Sequence, residues 1–393
     1  MKTERLFDQD AYRTDFDARV VSCEPVAERA WEIVLDRTAF YPEGGGQWSD
    51  AGTLEPEGAP AGASKPFVIH AEDRDGVIVH RTGAPIPAGT RVHGQILWDR
   101  RFDMMQQHTG EHILSGLICR NFHCDNVGFH IGKDVVTLDF NRGLSDTDVQ
   151  GMENAANRVI RENLLVEIRL YRPEELEGLQ YRSKKPIPGD VRIVNIPGAD
   201  TCACCGTHVA ATGQVGLLTV VSRMNYKGGV RIAIRCGERA RTWLVTVRDD
   251  YQGACRLLSI QEALCTEVER LLGERDALKA QTALLASRLF DQTAAAEQEK
   301  PVRVAVAEDM TGAGLTHAAG RLGTGAVYAL ALLPRPEGGW QFALTGAADV
   351  RPAAKALCER FGGKGGGRPE MAQGMLLSGE PEAFRALLEG LVP

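Results

Sequence analysis

Two histidines spaced four residues apart stand in the segment from Gln106 to Gly116. Met105, Ser115 and Cys119 fall on one helical stripe with His108 and His112, and proline is absent between residues 100 and 120. This predicts a helix with both imidazoles on one face. An imidazole pair at this spacing is half of a divalent-metal site. Considered alone, however, such a pair is more often two core histidines satisfied by hydrogen bonds.

A second pair of metal-binding residue types, Cys204 and His208, follows in a Gly- and Thr-containing segment that is typical of a loop. With the histidine pair it would supply three nitrogens and one thiolate, a set that suits Zn²⁺ by softness and by geometry. Cys202 and Cys205 are competing ligands. A small structural zinc knuckle made from these cysteines and His208 is therefore the alternative that spacing alone leaves open.

The segment from His108 to His112 also satisfies the H-x-x-E-H pattern of some zinc peptidases, in which Glu111 would be the general base. Only the histidines and the glutamate are fixed in that pattern, so it arises often by chance. It also gives no role to Cys204 and His208. A zinc peptidase is the alternative enzyme.

The composition is that of a globular protein with a sizeable core, since 44% of the 393 residues are hydrophobic and 25% are charged. This length exceeds one ordinary domain. No apolar run is long enough to cross a bilayer and the first residues lack the apolar core of a secretory signal, so we expect a cytoplasmic protein with no membrane association. Ten cysteines are too dilute for a disulfide scaffold.

The net charge of −7 argues against a generic nucleic-acid coat but permits a local basic groove. The densest basic patch contains Arg182, Lys184, Lys185 and Arg192 against the single Asp190. Taken alone, such a patch is more often a solvated loop than a set of phosphate contacts.

The apolar patterns divide the chain into four regions and predict an α+β multidomain protein. Residues 1–98 are predicted to form a β-rich, barrel-like N-terminal domain, because short β-branched segments alternate with Gly, Pro and Asp turns. Residues 99–243 mix helical and strand patterns without a βαβ rhythm, and are predicted to form the α+β domain that holds the metal ligands. Residues 244–300 predict a helical spacer, and residues 301–393 a small α/β C-terminal domain.

The spacer is predicted to be one long helix over 244–296, because leucines recur every seven residues from Leu257 to Leu285 and proline is absent. Arg275 and Thr282 occupy positions where a second seam should be apolar. We therefore expect this helix to pack against a second helix, from the same chain or from another subunit, rather than to form a free-standing coiled coil.

The first and the last region each contain a glycine-rich segment, at 44–46 and at 362–367. Consecutive glycines allow a sharp turn or the close approach of a ligand, and a mobile surface loop is the plainer alternative for both. Neither segment is a nucleotide-binding P-loop, because the required Lys-Ser or Lys-Thr pair is missing. In the second segment, Lys364 and Arg368 add positive charge to backbone N–H groups that could bind an anion.

Four motifs in a fixed order give the chain a resemblance to alanyl-tRNA editing proteins of the AlaX type, in their long form. It is similar to the editing domain of alanyl-tRNA synthetases followed by the C-terminal domain of those enzymes. The motifs lie in the ranges Phe40–Gln47, Gln106–His112, Cys204–Gly213 and Gly363–Gly374. Together they span nearly the whole length, which makes the resemblance far more specific than any one motif.

The resemblance implies a zinc-dependent, ATP-independent hydrolase that maintains translation fidelity by trans-editing, deacylating tRNA(Ala) that is mischarged with serine and also with glycine. It implies one Zn²⁺ per chain, with the ligands His108, His112, Cys204 and His208. It also places Thr38 and Gln47 near the misacylated group, where the threonine is suited to meet the serine hydroxyl. A second site that recognises this hydroxyl can separate amino acids that one apolar pocket discriminates by only about 1–3 kcal/mol.

The C-terminal domain, by the same resemblance, helps to bind the tRNA body and assists dimerisation. Lys364 and Arg368 are therefore candidate tRNA contacts, and Lys184 and Lys185 are further candidates. A homodimer through the helical spacer and the C-terminal domain is expected on these grounds. If the zinc were only structural, the chain would instead be a tRNA-binding module without catalysis.

Two positions depart from the pattern of the family. Cys205 stands where the family has the first of two glycines, and we expect its side chain to pack rather than to bind metal. Glu111 stands where synthetases carry small residues, and it would either orient a ligand histidine or face solvent. Four protein ligands normally close a tetrahedral zinc site, so hydrolysis requires a ligand to leave, the coordination to expand, or water to be positioned elsewhere.

Overall fold

The structure, a computed structural model, describes residues 2–60, 62, 64–183, 188–308 and 310–392. The chain divides into two compact units, Met1–Tyr251 and Gln252–Pro393. Helices and β-sheets occur in both units, which confirms the predicted α+β multidomain class. The first unit contains both predicted regions 1–98 and 99–243, and the second begins inside the predicted spacer.

A closed barrel of six strands forms the first part of the first unit, in the order β2-β3-β7-β6-β5-β8. The elements are β1 (Glu4–Arg5), α1 (Leu6–Gln9), β2 (Asp15–Ala27), β3 (Ala30–Leu35), β4 (Arg37–Thr38), β5 (Gly52–Pro56), β6 (Phe67–Arg74), β7 (Val77–Thr82) and β8 (Arg91–Ile96). Strand periodicity explains the barrel core, because Phe16, Ala18 and Val20 of β2 point inward while the intervening residues are exposed.

The second part of the first unit is built around one long buried helix. Its elements are α2 (Trp98–Phe122), β9 (Asn126–Ile131), β10 (Val136–Phe140), α3 (Asp146–Glu162), β11 (Glu167–Tyr171), β12 (Val191–Ile196), β13 (Asp200–Ala203), β14 (Leu218–Tyr226), β15 (Gly229–Cys236) and α4 (Gly237–Leu257), with short 3₁₀ helices at Pro173–Leu176 and Thr212–Val215. The strands form a four-stranded sheet, β14-β15-β10-β9, and a three-stranded sheet, β11-β12-β13. Every residue of α2 from Met104 to Ile118 is buried, so its polar side chains need internal partners.

A buried ion pair fixes the start of α2 to the barrel. The guanidinium of Arg101 donates to the carboxylate of Asp50 and to the carbonyl oxygens of Ala11 and Ala39. Asp50 in turn accepts the backbone N–H of Tyr41 at 2.7 Å. The ion pair therefore holds the segment that leads into Gly44–Gly46 next to the helix that carries His108 and His112.

The second unit is an α/β domain with a five-stranded sheet in the order β16-β17-β18-β20-β19. Its elements are α5 (Leu264–Ala295), β16 (Val302–Val306), α6 (Gly312–Leu322), β17 (Tyr328–Pro334), β18 (Trp340–Thr345), α7 (Val350–Phe361), β19 (Gly363–Arg368), β20 (Met371–Leu376) and α8 (Pro381–Glu389). Apolar side chains of β17 and β18 pair across the middle of this sheet, as Leu330 does with Leu344.

One expectation and one alternative for this part of the chain are wrong. The spacer is not one long helix: α4 ends at Leu257 and α5 begins at Leu264, because Ser259 and Ala263 adopt left-handed backbone angles, with φ of 56° and 58°. The glycine-rich segment after α7 is not a loop but the outer strand β19, paired with β20. Its glycines permit close packing, since a Cβ at Gly365 would lie 2.7 Å from the ring of Phe342.

No helix in the described ranges is both long enough and apolar enough to span a membrane.

Candidate metal centre

The four side chains predicted to bind metal lie together in the first unit. The ligand atoms of His108, His112, Cys204 and His208 all lie within 4.8 Å of one another. The sulfur of Cys204 is 3.5 Å from Nε2 of His108 and 3.4 Å from Nε2 of His208. Nitrogen and sulfur ligands of a tetrahedral zinc ion, with bonds of about 2.05 and 2.3 Å, are about 3.6 Å apart. The donor set and its spacing therefore fit Zn²⁺.

Two elements bring these side chains together. His108 and His112 lie one turn apart on α2, and the loop that follows β13 carries Cys204 and His208. Arg192 fixes this loop by donating from Nη1 to the carbonyl oxygens of Cys204, at 2.7 Å, and Gly206, at 3.0 Å. The loop approaches α2 closely, so only a residue without a side chain fits at position 206.

Each of the three histidines is held through its other ring nitrogen. The Nδ1 partners are Gln47 Oε1 for His108 at 2.9 Å, Asp200 Oδ2 for His112 at 2.9 Å, and Thr109 Oγ1 for His208 at 3.1 Å. These oxygens accept the Nδ1 proton, which leaves the Nε2 lone pair for the centre. Hydrogen bonds of this kind fix the tautomer and the ring orientation of metal-binding histidines.

Asp200 accepts a hydrogen bond from the ring nitrogen of His112 that faces away from the centre, and Arg182 holds Asp200 in place. The sequence did not predict this role. Arg182 donates two hydrogen bonds to the Asp200 carboxylate, both of 2.7 Å. Burial alone would raise the pKa of Asp200, but the bonds from Arg182 and His112 outweigh it and lower this pKa to about 2. The one signal in the sequence is a carboxylate four residues before Cys204.

The neighbouring charges adjust the ligands toward the protonation states that a metal requires. Burial opposes ionisation of Cys204, but the imidazoles of His108 and His112 hold its pKa well below the ordinary range of a thiol. Burial lowers the pKa of His208 to about 3, so its imidazole is neutral. Burial also acts to lower the pKa of His112, but the Cys204 thiolate and Asp200 outweigh it, so the pKa of this histidine is raised. Metal binding would release the proton that His112 holds.

Gln47, which the resemblance places near the misacylated group, contacts the cluster. Its Oε1 accepts from His108 Nδ1 and from the backbone N–H of Thr207, and its Nε2 donates to Thr207 Oγ1 at 2.8 Å. The glycines before it let the chain turn under an aromatic ring, since a Cβ at Gly46 would lie 2.5 Å from Phe129. Gln47 thus joins the glycine-rich segment to both halves of the cluster.

Thr38 lies fully buried at the barrel, on β4, and the hydrogen bonds of its hydroxyl group go to other residues. The hydroxyl lies 2.8 Å from Nε2 of His80 and accepts the backbone N–H of Phe40. Because Nδ1 of His80 donates to the carbonyl of Ile33, its Nε2 accepts from Thr38. Burial lowers the pKa of His80 to about 4, which keeps this ring neutral.

The two positions that depart from the family pattern have different environments. Glu111 is buried, so of its two alternatives, orienting a ligand histidine or facing solvent, the second is wrong; its Oε2 lies 3.7 Å from His112 Nε2. Cys205 is exposed, so the expectation that it packs is also wrong. Cys202 lies close to His112 and Asp200, with its sulfur within 4.8 Å of their ligand atoms.

The candidate tRNA contacts lie in the second unit or outside the described ranges. Lys364 and Arg368 are exposed on β19 of the second unit. Lys184 and Lys185 lie outside the residues that the structure describes. Of the same basic patch, Arg182 and Arg192 do not form a solvated loop, because both are committed to the metal-binding segment.

Two family models match the first unit. Residues 191–233, which include the Cys204 loop, match "Threonyl and Alanyl tRNA synthetase second additional domain", and residues 14–100 match "tRNA synthetases class II (A)". Through the barrel and the Cys/His loop, this chain is thus similar to parts of class II tRNA synthetases.

Similar proteins cover most of the sequence. "Alanyl-tRNA editing protein AlaX-L" of Pyrococcus horikoshii is 33% identical over 264 residues, which are 65% of this chain and 63% of that protein. "Alanine--tRNA ligase" of Pyrococcus abyssi is 32% identical over 412 residues, 99% of this chain and 44% of the ligase. The corresponding ligase of Ignicoccus hospitalis is 32% identical over 300 residues, 74% of this chain and 32% of the ligase. This chain therefore spans less than two thirds of the length of each. It is a relative of the alanyl-tRNA editing proteins and the alanine–tRNA ligases, as its four motifs predict.

Proposed function

We propose that this chain is an aminoacyl-tRNA deacylase that hydrolyses the ester of tRNA(Ala) mischarged with serine or glycine. The observation that carries the proposal is the cluster of three imidazoles and one thiolate, with zinc-like spacing, in a chain related to alanyl-tRNA editing proteins. Removal of the wrong amino acid would return free tRNA without the use of ATP.

We propose one Zn²⁺ as the cofactor, held by His108, His112, Cys204 and His208. A zinc ion bound there would supply Lewis-acid chemistry to the ester or to water. The chain itself supplies the orientation of the ligands, because Gln47, Asp200 and Thr109 each fix one ring. The backbone N–H of Gly206 also donates to the Cys204 sulfur at 3.3 Å, which stabilises the thiolate.

Serine would be distinguished from alanine by a hydrogen bond to its hydroxyl group, and Thr38 is the proposed partner. A threonine hydroxyl has one donor and two acceptor positions. His80 takes the donor and Phe40 takes one acceptor, which leaves one lone pair. Sites that hydrogen-bond a substrate hydroxyl discriminate more strongly than apolar pockets, where one methylene is worth only about 1–3 kcal/mol.

The peptidase hypothesis is less well supported than the deacylase hypothesis. It requires two histidines of α2 and Glu111, but gives no function to the thiolate that lies 3.5 Å from His108. The relatives are named for tRNA editing and for tRNA ligation, not for proteolysis.

The proposed partner is tRNA(Ala), with Lys364 and Arg368 as phosphate contacts in the second unit. Both side chains are exposed on an outer strand, as phosphate contacts must be. Lys184 and Lys185 remain candidate contacts from the sequence. A homodimer through the helical spacer and the C-terminal domain remains part of this proposal.

A deacylation assay tests the proposal. Zinc-loaded protein is incubated with Ser-tRNA(Ala), Gly-tRNA(Ala) and Ala-tRNA(Ala), and loss of each ester is followed. We expect loss of serine and glycine, retention of alanine, and no activity in His112→Ala, which also loses zinc. Tight tRNA binding without ester loss would favour a binding module with structural zinc. Cleavage of peptides that Glu111→Gln abolishes, with metal retained, would favour the peptidase.

A further inference from the structure

Glu111 is a buried carboxylate, and one of its two oxygens accepts hydrogen bonds from two neutral side chains. Oε1 accepts from Ser115 Oγ at 2.7 Å and from Asn126 Nδ2 at 2.9 Å. Asn126 also donates to Ser115 Oγ at 2.8 Å, so the three side chains fix one another. Only 4% of Glu111 is exposed, and the carboxylate is therefore held rigidly.

The other oxygen, Oε2, is directed toward the metal centre. It lies 3.7 Å from Nε2 of His112, the atom with which this histidine faces the centre. Among the described residues, no lysine or arginine forms an ion pair with Glu111, and the nearby Arg182 is committed to Asp200. Once a metal at Nε2 displaces the proton of His112, no cationic side chain among the described residues pairs with Oε2, so this oxygen is suited to receive a cation that arrives with the substrate.

The substrate class of the proposed function, on which this inference rests, brings such a cation. An aminoacyl ester carries an α-ammonium group, whose nitrogen is about 2.5 Å from the carbonyl carbon by ordinary bond geometry. A carbonyl group at the metal centre would therefore bring the ammonium within reach of Oε2. An N-acylated ester, such as a peptidyl-tRNA, has no charged nitrogen at this position.

We propose that Oε2 of Glu111 binds the α-ammonium group of the aminoacyl ester, and so selects free aminoacyl esters against N-acylated ones. The role differs from that of a peptidase base, because Glu111 would contact the amino group rather than the attacking water. It also explains the rigid support by Ser115 and Asn126, since an ion pair is strongest when its geometry is fixed in advance.

Two substrates that differ only at the amino group test the proposal. Ser-tRNA(Ala) and N-acetyl-Ser-tRNA(Ala) are compared with zinc-loaded wild type, Glu111→Gln and Glu111→Asp. We expect the wild type to prefer the free amine, and Glu111→Gln to lose about 10- to 100-fold in kcat/KM on Ser-tRNA(Ala) alone, as loss of a charged hydrogen bond does. Glu111→Asp keeps the charge and should retain part of the preference. Glu162→Gln, which removes an exposed charge from α3, is the matched control and should change neither rate.

Binding supplies a readout that does not depend on turnover. Adenosine with a 3′-linked seryl amide, which resists hydrolysis, and its N-acetyl form are titrated into zinc-loaded proteins by calorimetry, and bound zinc is counted by mass spectrometry. Glu111→Gln should keep its zinc and bind only the free-amine analogue more weakly. Equal loss on both substrates and both analogues, or loss of zinc, would overturn the inference. If the wild type hydrolyses no ester, the proposed function fails, and the two analogues still decide the role of Glu111.

Discussion

Substitution of Gly206 by alanine should damage the metal centre through a single added methyl group. A Cβ at this position would lie 2.1 Å from Cε1 and 2.4 Å from Nδ1 of His108. Ordinary contacts of a Cβ atom lie at 3.4–4 Å, so the ring or the loop has to move by more than 1 Å.

The ring of His108 has little room to move away from an added methyl group. Its Nδ1 bonds to Gln47, and its face packs on Phe129 with 5.2 Å between ring centroids. Metal–ligand distances tolerate changes of only about 0.2 Å. We therefore expect zinc affinity to fall by about 10- to 100-fold or more, the range seen when ligand orientation is lost, with a stability cost of about 1–3 kcal/mol from overpacking.

Competition with a chromophoric chelator measures the zinc affinity, and circular dichroism establishes that the variant is folded. Gly143→Ala is the matched control, because a Cβ there meets no atom within 4 Å. If Gly206→Ala binds zinc as tightly as the wild type and the control, the loop does not position His108 as described.

Arg101→Met should cost about 3–5 kcal/mol in urea unfolding, because it leaves the buried Asp50 carboxylate without its cation, and a loss below 1 kcal/mol would refute this account of the ion pair. The free energy of unfolding should fall in acid because of His80. The pKa of this histidine is about 4 in the folded protein and about 6.5 in the unfolded chain. As the pH decreases from 6.5 to 4, the unfolded chain therefore binds a proton that the folded protein does not, which favours unfolding. His80→Gln should lessen this fall by at most about 3 kcal/mol, and parallel unfolding curves for wild type and variant across these pH values would contradict it. Cys204→Ser should lose zinc whereas Cys205→Ser, at an exposed thiol, should keep both zinc and activity; equal zinc binding by the two variants would exclude Cys204 as a ligand.

Each pair of ligands was predictable from the sequence because its spacing is local, and the resemblance to the editing family joined the two pairs. Helical spacing places His108 and His112 on one face, and the chemistry of Cys204 and His208 restricts what they can do there. The resemblance placed Gln47 near the misacylated group, and the structure adds a hydrogen bond from this side chain to His108 that the sequence did not predict.

The supporting contacts were not predictable, because they join residues that are far apart in the sequence. Asp200 is 88 residues from His112, and nothing in either segment indicates their hydrogen bond. Arg182 belongs to a basic patch whose sequence is typical of a solvated loop, yet it donates a hydrogen bond to the Asp200 carboxylate. Burial of Glu111 follows from the enclosure of α2 on all sides, which helical periodicity around the histidines does not reveal.

Neither the break in the spacer nor the strand nature of the last glycine-rich segment was predictable from residue type. Leucine periodicity continues through Ser259 and Ala263, whose left-handed backbone angles leave no mark in residue type. Glycine-rich sequence predicts a loop, whereas in β19 the missing side chains make room for Phe342 and for the neighbouring strand β20. In β19, tertiary packing overrides the local preference of glycine for loops.

The rate of seryl ester hydrolysis as a function of bound zinc tests the central claim most directly. Protein stripped of metal and reloaded in steps should hydrolyse Ser-tRNA(Ala) in proportion to the zinc it binds, reach a plateau at one ion per chain, and leave Ala-tRNA(Ala) intact. Full hydrolysis by the metal-free chain, or none by the reloaded chain, would contradict the assignment of the four-ligand cluster as the centre of a deacylase.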